Sequence, residues 1–261
     1  HRDITFLISG GGSACVEVPL APHTREELIR ENARLIASGL PIGEINAARK
    51  KMSAIKGGKL AQRVRGRCVT LVYSDVSSGA LADVASGPTI PGSDEVHLIA
   101  DNDTLTSTAA AIARERGFEV ILWPGQIDGD AEPVAREFAA RAQELRPRQI
   151  IIAGGEPTTV VHGKGKGGRC SELAVRYVLA YALAGPPPAT QALFASSDGV
   201  DGNSGAAGIM LDAIPTHFDR DAVERELNES NSMIVASAMG RAIMIPPAGN
   251  NLRDLYLLAR G

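Results

Sequence analysis

Ile4-Thr5-Phe6-Leu7-Ile8-Ser9-Gly10-Gly11-Gly12-Ser13-Ala14 is the stretch from which the fold is read. A short apolar, β-branched run reads as a buried strand, and it ends directly in a turn of small residues. Downstream, residues 26–38 show helical spacing in Leu28, Leu35 and Ile36, and the pattern breaks at Gly39 and Pro41. A second helix is expected over 42–55, stopped by Gly57-Gly58. Then come a strand over 68–74, a Gly- and Ser-rich loop through Pro91-Gly92, and an Ala-rich helix over 103–116 that Gly117 ends. A strand over 118–122, a helix over 132–145 and a strand over 149–153 follow. Strands and helices that alternate through short Gly-terminated links make a parallel sheet covered on both faces, so the first half is expected to be a doubly wound, Rossmann-like α/β domain. The second half opens with a loop over 154–169 and an apolar helix over 172–184, which Pro186-Pro187-Pro188 ends. A strand over 192–195 leads into a Gly- and Asp-rich stretch over 196–208. Two α/β domains are therefore expected, residues 1–147 and 148–261.

A chain of 261 residues, 44% of them hydrophobic, can bury a core without covalent staples. Cys15, Cys68 and Cys170 are odd in number, widely spaced and without a CxxC pair, which argues against a disulfide framework or a zinc site. A net charge of -3 gives no general attraction to nucleic acid or membranes, and no apolar run approaches the ~20 residues of a membrane span. No signal peptide is visible, and a cytoplasmic enzyme is expected. Because His1-Arg2-Asp3 runs straight into a strand, the chain reads as lacking a natural N-terminal part.

Four stretches carry candidate chemistry. In Ser9 to Ala14, consecutive small residues let backbone N–H groups converge on an anion, although an ordinary tight turn has the same composition. It is neither a P-loop nor a GxGxxG fingerprint. In the second helix, Ile45, Ala48, Met52 and Ile55 recur as a core face, leaving Asn46, Arg49, Lys50 and Ser53 on a polar face suited to a carboxylate or phosphate, or simply to solvent. The third stretch, Gly163-Lys164-Gly165-Lys166-Gly167-Gly168-Arg169 with Glu172 beyond, follows Gly154-Gly155-Glu156. It reads as a flexible cationic loop able to close over phosphates, with Gly168 permitting close backbone approach; a linker is the plain alternative. The fourth, Ser197-Asp198-Gly199-Val200-Asp201-Gly202, offers two carboxylates at a strand end, placed for a metal or general base, or for an Asp-Gly turn. Ser74-Asp75 ends another strand in the same way.

In this order, and with residues 44–61 (EINAARKKMSAIKGGKLA), Ala85-Ser86-Gly87-Pro88-Thr89 and Asn250-Asn251-Leu252-Arg253-Asp254-Leu255, these stretches resemble the glycerate 2-kinase family. The C-terminal domain of that family is known as the MOFRL domain. The resemblance spans nearly the whole chain. It implies a two-domain α/β phosphotransferase that uses ATP and Mg²⁺ to convert D-glycerate, or a related hydroxy-acid, to its 2-phosphate. It would place Ser9, Gly11, Gly12, Ser13, Asn46 and Arg49 around the substrate, and Lys164, Lys166, Gly167, Gly168 and Glu172 around ATP. Asp75 and Asp201 would stand at the metal, with Asp198, Arg169 and Lys50 catalytic.

Three departures stand out. The family's GGRNQE is here Gly167-Gly168-Arg169-Cys170-Ser171-Glu172, and its SDVPGD is Ser74-Asp75-Val76-Ser77-Ser78-Gly79 without the second Asp. An N-terminal segment expected to carry a functional lysine is missing, as is most of the stretch between Thr89 and the strand at 96–100. Two other functions stay open. An NAD(P)H-dependent hydroxypyruvate reductase would need an acidic ribose binder about 20 residues beyond the GGG turn, and none stands out. A non-catalytic homologue that binds a sugar acid or nucleotide would fit the altered Ser77, Cys170 and Ser171. A homodimer is left open. The strand-end loops of both halves are expected to share one cleft, and the cationic glycine loop is expected to be mobile until phosphates bind.

Overall fold

The computed structural model describes residues 2–77, 79–183 and 190–261, so Ser78 and the Pro186-Pro187-Pro188 helix stop lie outside the described residues. Two compact units divide at Asp101/Asn102, well before the boundary expected near 147. The reason lies in hydrogen bonding and packing. Strand β4 (Glu119–Leu122) pairs in parallel with β5 (Gln149–Gly155), and Ala110 and Ala113 of helix α4 (Asn102–Glu115) pack on Ile150 and Ile152. A strand belongs to the sheet that satisfies its backbone, and its neighbouring helix to the face it covers.

The first unit is built on a parallel sheet of β1 (Ile4–Ile8), β2 (Cys68–Tyr73) and β3 (Glu95–Ala100), in the order β1-β2-β3. The glycine turn leads into the short helix α1 (Gly12–Cys15). Helix α2 (Arg25–Ala37) starts at a capping box. The Thr24 hydroxyl accepts from Glu27 N–H at 3.2 Å, and the Glu27 carboxylate accepts from Thr24 N–H at 2.9 Å. Helix α3 (Ile42–Met52) ends before Ile55, where the sequence had suggested it would stop. Ser53 turns extended, and its hydroxyl accepts from the N–H groups of Ile55 and Lys56, a local arrangement that competes with the helix. Lys59 then donates to the carbonyls of Lys50 and Ser53 at 2.6 Å each, satisfying acceptors the helix leaves open. In β2, Cys68, Thr70 and Val72 alternate as buried positions. Strand β1 forms as expected but is not buried: Leu7 is 79% exposed.

In the second unit the sheet order is β4-β5-β9-β6-β7-β8, with β6 (Thr190–Ser196), β7 (Gly208–Leu211), β8 (Arg241–Ile243) and β9 (Asp254–Arg260). Apart from β4 with β5, all of its pairs are antiparallel. Since β9 runs against both β5 and β6, those two strands run the same way, and their C-terminal ends share one edge with the start of β9. In register, Asp254 stands opposite Gly155 on one side and Ser196 on the other.

Period-two alternation gives β9 two packed faces. Leu255, Leu257 and Ala259 meet the side covered by α4, whereas Tyr256 and Leu258 join the larger core. Helices α5 (Ala131–Gln143), α6 (Arg169–Leu183), α7 (Arg220–Asn228) and α8 (Ser232–Met239) all contribute to that larger core. Aromatic rings fill its centre. Phe194 lies 5.4 Å from Tyr177, 6.0 Å from Tyr256 and 6.3 Å from Phe138, centroid to centroid. Tilted contacts of this kind add to a large buried area. Phe194→Ala empties the middle of this cluster and is expected to cost about 3–5 kcal/mol. A chemical-denaturation midpoint indistinguishable from wild type would contradict this account of the core.

Candidate active site

The first unit brings two of the expected stretches together. The N–H of Val76 donates to the Ser74 hydroxyl just past the end of β2, and Asp75 lies against the glycine turn after β1. A Cβ on Gly10 would stand 1.8 Å from a carboxylate oxygen of Asp75, so that close approach requires glycine. Gly11 is left-handed at φ 77, which is a second reason for the run. Gly12 approaches Ala85, and the carbonyl of Ser13 accepts from Lys56 Nζ at 3.0 Å. Lys56 is buried and balanced by Glu17 at 2.6 Å, whose carboxylate also accepts from Ser53.

On α3, Asn46, Arg49 and Lys50 are half-buried. Arg49 Nε donates to the Asn32 side chain at 2.9 Å, and Lys50 Nζ lies 3.5 Å from Asp83. Ser53 is not part of an exposed polar face; it is fully buried and caps the turn.

In the second unit the candidates gather at the sheet edge shared by β5, β6 and β9. Asp201 is the N-cap of α6 supplied from another segment. Its two carboxylate oxygens accept from the N–H groups of Cys170 and Ser171, both at 2.9 Å. Burial pushes its pKa up while those hydrogen bonds hold it down. At 2% exposure, and with each oxygen taking an N–H of the helix start, Asp201 serves here as a buried cap, whereas the sequence suggested a metal ligand. Among the described residues no group of three or more His, Cys, Asp and Glu side chains is placed to hold a metal. Asp198 differs: its Oδ1 accepts from the Ser196 hydroxyl and Val200 N–H at 2.8 Å each, while Oδ2 has no protein hydrogen bond among the described residues.

Arg169, the first residue of α6, is held by acids. Asp254 takes its Nε and Nη2 at 3.3 Å each, and Glu156 lies 2.5 Å from Nη1. Burial works against its charge, but Asp254 and then Glu156 outweigh that and raise its pKa, so it stays cationic. The two carboxylates take only part of the five N–H groups of a guanidinium. Lys164 and Lys166 are exposed, and neither forms an ion pair with a described residue. Lys164, Arg169, Asn203, Ser230 and Glu172 line a cavity of about 270 Å³. Glu172 is buried there with its pKa raised by burial, and Arg176 at 2.8 Å answers its charge.

The glycine loop is firmly anchored. Gly163 N–H donates to the Ser230 hydroxyl, Gly165 N–H to the Glu229 carbonyl, Lys166 N–H to the Asn231 side chain and Gly167 N–H to the Asn203 side chain. Gly168 N–H donates to the Ser171 hydroxyl. Hence the backbone donors of Gly167 and Gly168 are spent inside the protein, and close approach to phosphate is not what these glycines serve. A Cβ on Gly163 would come 2.4 Å from the Glu229 carbonyl oxygen, and on Gly168 2.1 Å from Asp201. The glycines let the loop lie flush against the α7–α8 turn and the Asp201 loop. The departure at Ser171 leaves no polar gap, because its hydroxyl also meets Ser232 at 3.0 Å.

Sequence reasoning did not assign site roles to Asp254, Glu156, Arg253, Asn203 or Asn231. Glu156, Arg253 and Asp254 lie in stretches that carried the family resemblance, and Asp254 is a charged residue at the head of the apolar run Asp254-Leu255-Tyr256-Leu257-Leu258; Asn203 and Asn231 gave no such signal. Amide exchange at Gly163, Gly165, Lys166 and Gly167 is expected to be slow before any nucleotide is added. Exchange at the rate of a free chain would show that the anchoring fails in solution.

The comparisons agree with this architecture. Residues 2–114 match DUF4147, a domain of unknown function, and residues 149–254 match the MOFRL family. The D-glycerate 2-kinase of Thermotoga maritima is 30% identical, the alignment covering 97% of this chain and 71% of the relative. The glycerate 2-kinase of Sulfurisphaera tokodaii is 30% identical over 98% of this chain and 71% of its own. The crystal structure of glycerate kinase from Thermotoga maritima superposes with a TM-score of 0.85 at 28% identity, covering all of this chain and 73% of that one. With such similarity along nearly its whole length, the chain, itself carrying a MOFRL domain, belongs to the glycerate 2-kinase family.

Proposed function

We propose that this protein transfers the γ-phosphoryl group of ATP to the 2-hydroxyl of D-glycerate or a closely related hydroxy-acid. The observation that carries the reading is the cationic pair at one sheet edge: Arg169 aimed by Asp254 and Glu156, with Lys164, which has no ion pair among the described residues, lining the same cavity. Phosphoryl transfer is chiefly positioning and charge stabilisation, and a guanidinium held by two carboxylates with an unpaired ammonium group on the same cavity wall supplies both. The names of the relatives point the same way.

In this reading Lys164 and Lys166 hold the ATP phosphates through their side chains, and Arg169 neutralises charge on the moving group. Asp198 orients the attacking hydroxyl or accepts its proton through the free Oδ2. Glu172 acts on the cavity wall, with Arg176 screening it from the phosphates. In the first unit, Arg49, Asn46 and the turn from Ser9 through Gly11, Gly12 and Ser13 take the substrate carboxylate, with Lys50 adding positive charge.

Mg²⁺ normally binds through one or two carboxylates together with phosphate oxygens, and its contribution when bound would be neutralisation of phosphate charge. Asp198 fits such a contact, having an uncommitted oxygen, and Asp201 does not. Asp75 remains the first unit's candidate. Among the described residues no helix is long and apolar enough to cross a membrane, and we place the reaction in the cytoplasm.

Incubation with D-glycerate and Mg-ATP is expected to yield ADP and 2-phosphoglycerate. NAD(P)H consumption with hydroxypyruvate would favour the reductase, and ligand binding without ADP formation would favour a non-catalytic homologue. Arg169→Ala is expected to lower kcat on the order of 10²–10³-fold. Near-normal turnover of that variant would remove Arg169 from the chemistry.

A further inference from the structure

Arg253 immediately precedes β9, is 5% exposed, and has a left-handed backbone at φ 67, a region that long L side chains seldom occupy. Its guanidinium reaches three partners. Nη1 donates to Gln126 at 2.5 Å, Nη2 to Asp128 at 2.6 Å and Nε to Glu156 Oε2 at 3.3 Å. The other oxygen of Glu156 is the one that faces Arg169. Residues 253 and 254 therefore grip Arg169 from two sides: Asp254 directly, and Arg253 by fixing Glu156. The backbone of Arg253 makes a second link. Its carbonyl accepts from Ser197 N–H at 3.0 Å, and the Leu252 N–H donates to the Ser197 hydroxyl at 2.8 Å, one residue from Asp198.

We propose that Arg253 is a positioning residue for phosphoryl transfer: through Glu156 it fixes the guanidinium of Arg169, and through its backbone it fixes the loop that carries Asp198. This rests on the roles given above to Arg169 and Asp198. The left-handed backbone is what lets one residue serve both links, with its side chain directed at the Gln126–Asp128 loop and its carbonyl at Ser197. Sharing Glu156 between two arginines also leaves Arg169 less neutralised than a carboxylate of its own would.

The test uses the full chain. Arg253→Asn tolerates the left-handed conformation and removes the fork, Arg253→Lys keeps the charge without the fork, and Glu156→Gln cuts the same link at nearly constant shape. Arg253→Asn and Glu156→Gln are expected to lower kcat roughly 10–100-fold, as loss of an orienting partner does, while KM for ATP moves much less; Arg253→Lys falls between. In an Arg169→Ala background, Arg253→Asn should lower kcat little further, because both act through one group. Multiplicative losses, or a lowered Tm with unchanged kcat, would overturn the proposal.

The Arg169 Nε–H resonance, identified by its loss in Arg169→Lys, reads the positioning without turnover. It is expected to shift and exchange faster in both Arg253→Asn and Glu156→Gln. If wild type makes no ADP from glycerate and ATP, the kinase reading fails while this resonance still decides the positioning; an unmoved signal in both variants would sink it.

Discussion

Asp254 is fully buried at the first position of the strand that runs through the middle of the second sheet, and burying a carboxylate there is costly unless it is paired and hydrogen-bonded. It has Arg169 across two contacts and the Tyr256 hydroxyl at 2.9 Å. Much of the site follows from meeting that demand. Arg169 must sit at the first turn of α6, so the loop before it has to end there, and Asp201 has to approach closely enough to cap the helix. Glu156, the next residue after β5, then meets the outer part of the same guanidinium. Ion pairs this buried hold geometry even where their net contribution to stability is small, and holding geometry is what phosphoryl transfer requires.

The glycine-rich loop illustrates how composition misleads. Lysines interleaved with glycines read as a flexible clamp, because glycine is the residue of unrestrained chain. Here Gly163, Gly165, Gly167 and Gly168 are small because other backbone and side chains occupy the space a Cβ would need. Close packing, not freedom, is what the glycines serve in this structure. Lys164 and Lys166 alternate with the glycines and stay exposed while the main chain between them is tied down.

What the sequence carried well was local. The strand and glycine turn at Ile4–Gly12, helices α2, α4 and α5, and the α/β class all follow from periodicity and capping residues; of the candidate site, charge on a Gly-rich loop marked Arg169, which does lie between two carboxylates on a cavity wall. Pairing across long separations was not legible. Nothing local says that 254–260 inserts between β5 and β6, nor that Asp201 caps a helix from another segment, since both depend on register that only the assembled sheet fixes. The boundary misplaced at 147 has the same origin: α4 and β4 alternate as a continuation of the first sheet would, yet pair with the second. The exposure of Leu7 is a matter of what covers a face, and an apolar strand looks the same whether or not anything does.

The position of β9 also bears on how the second unit comes to be folded. Until residues 254–260 emerge, β4 with β5 and β6 with β7 and β8 are two separate ribbons, each showing an unpaired edge and half of the aromatic core. Neither can complete its hydrogen bonds locally, and the closing strand joins both at once across a long intervening loop. During synthesis the unit must therefore wait, with sticky edges exposed, for its central piece, which makes that interval the time when chaperone protection matters most.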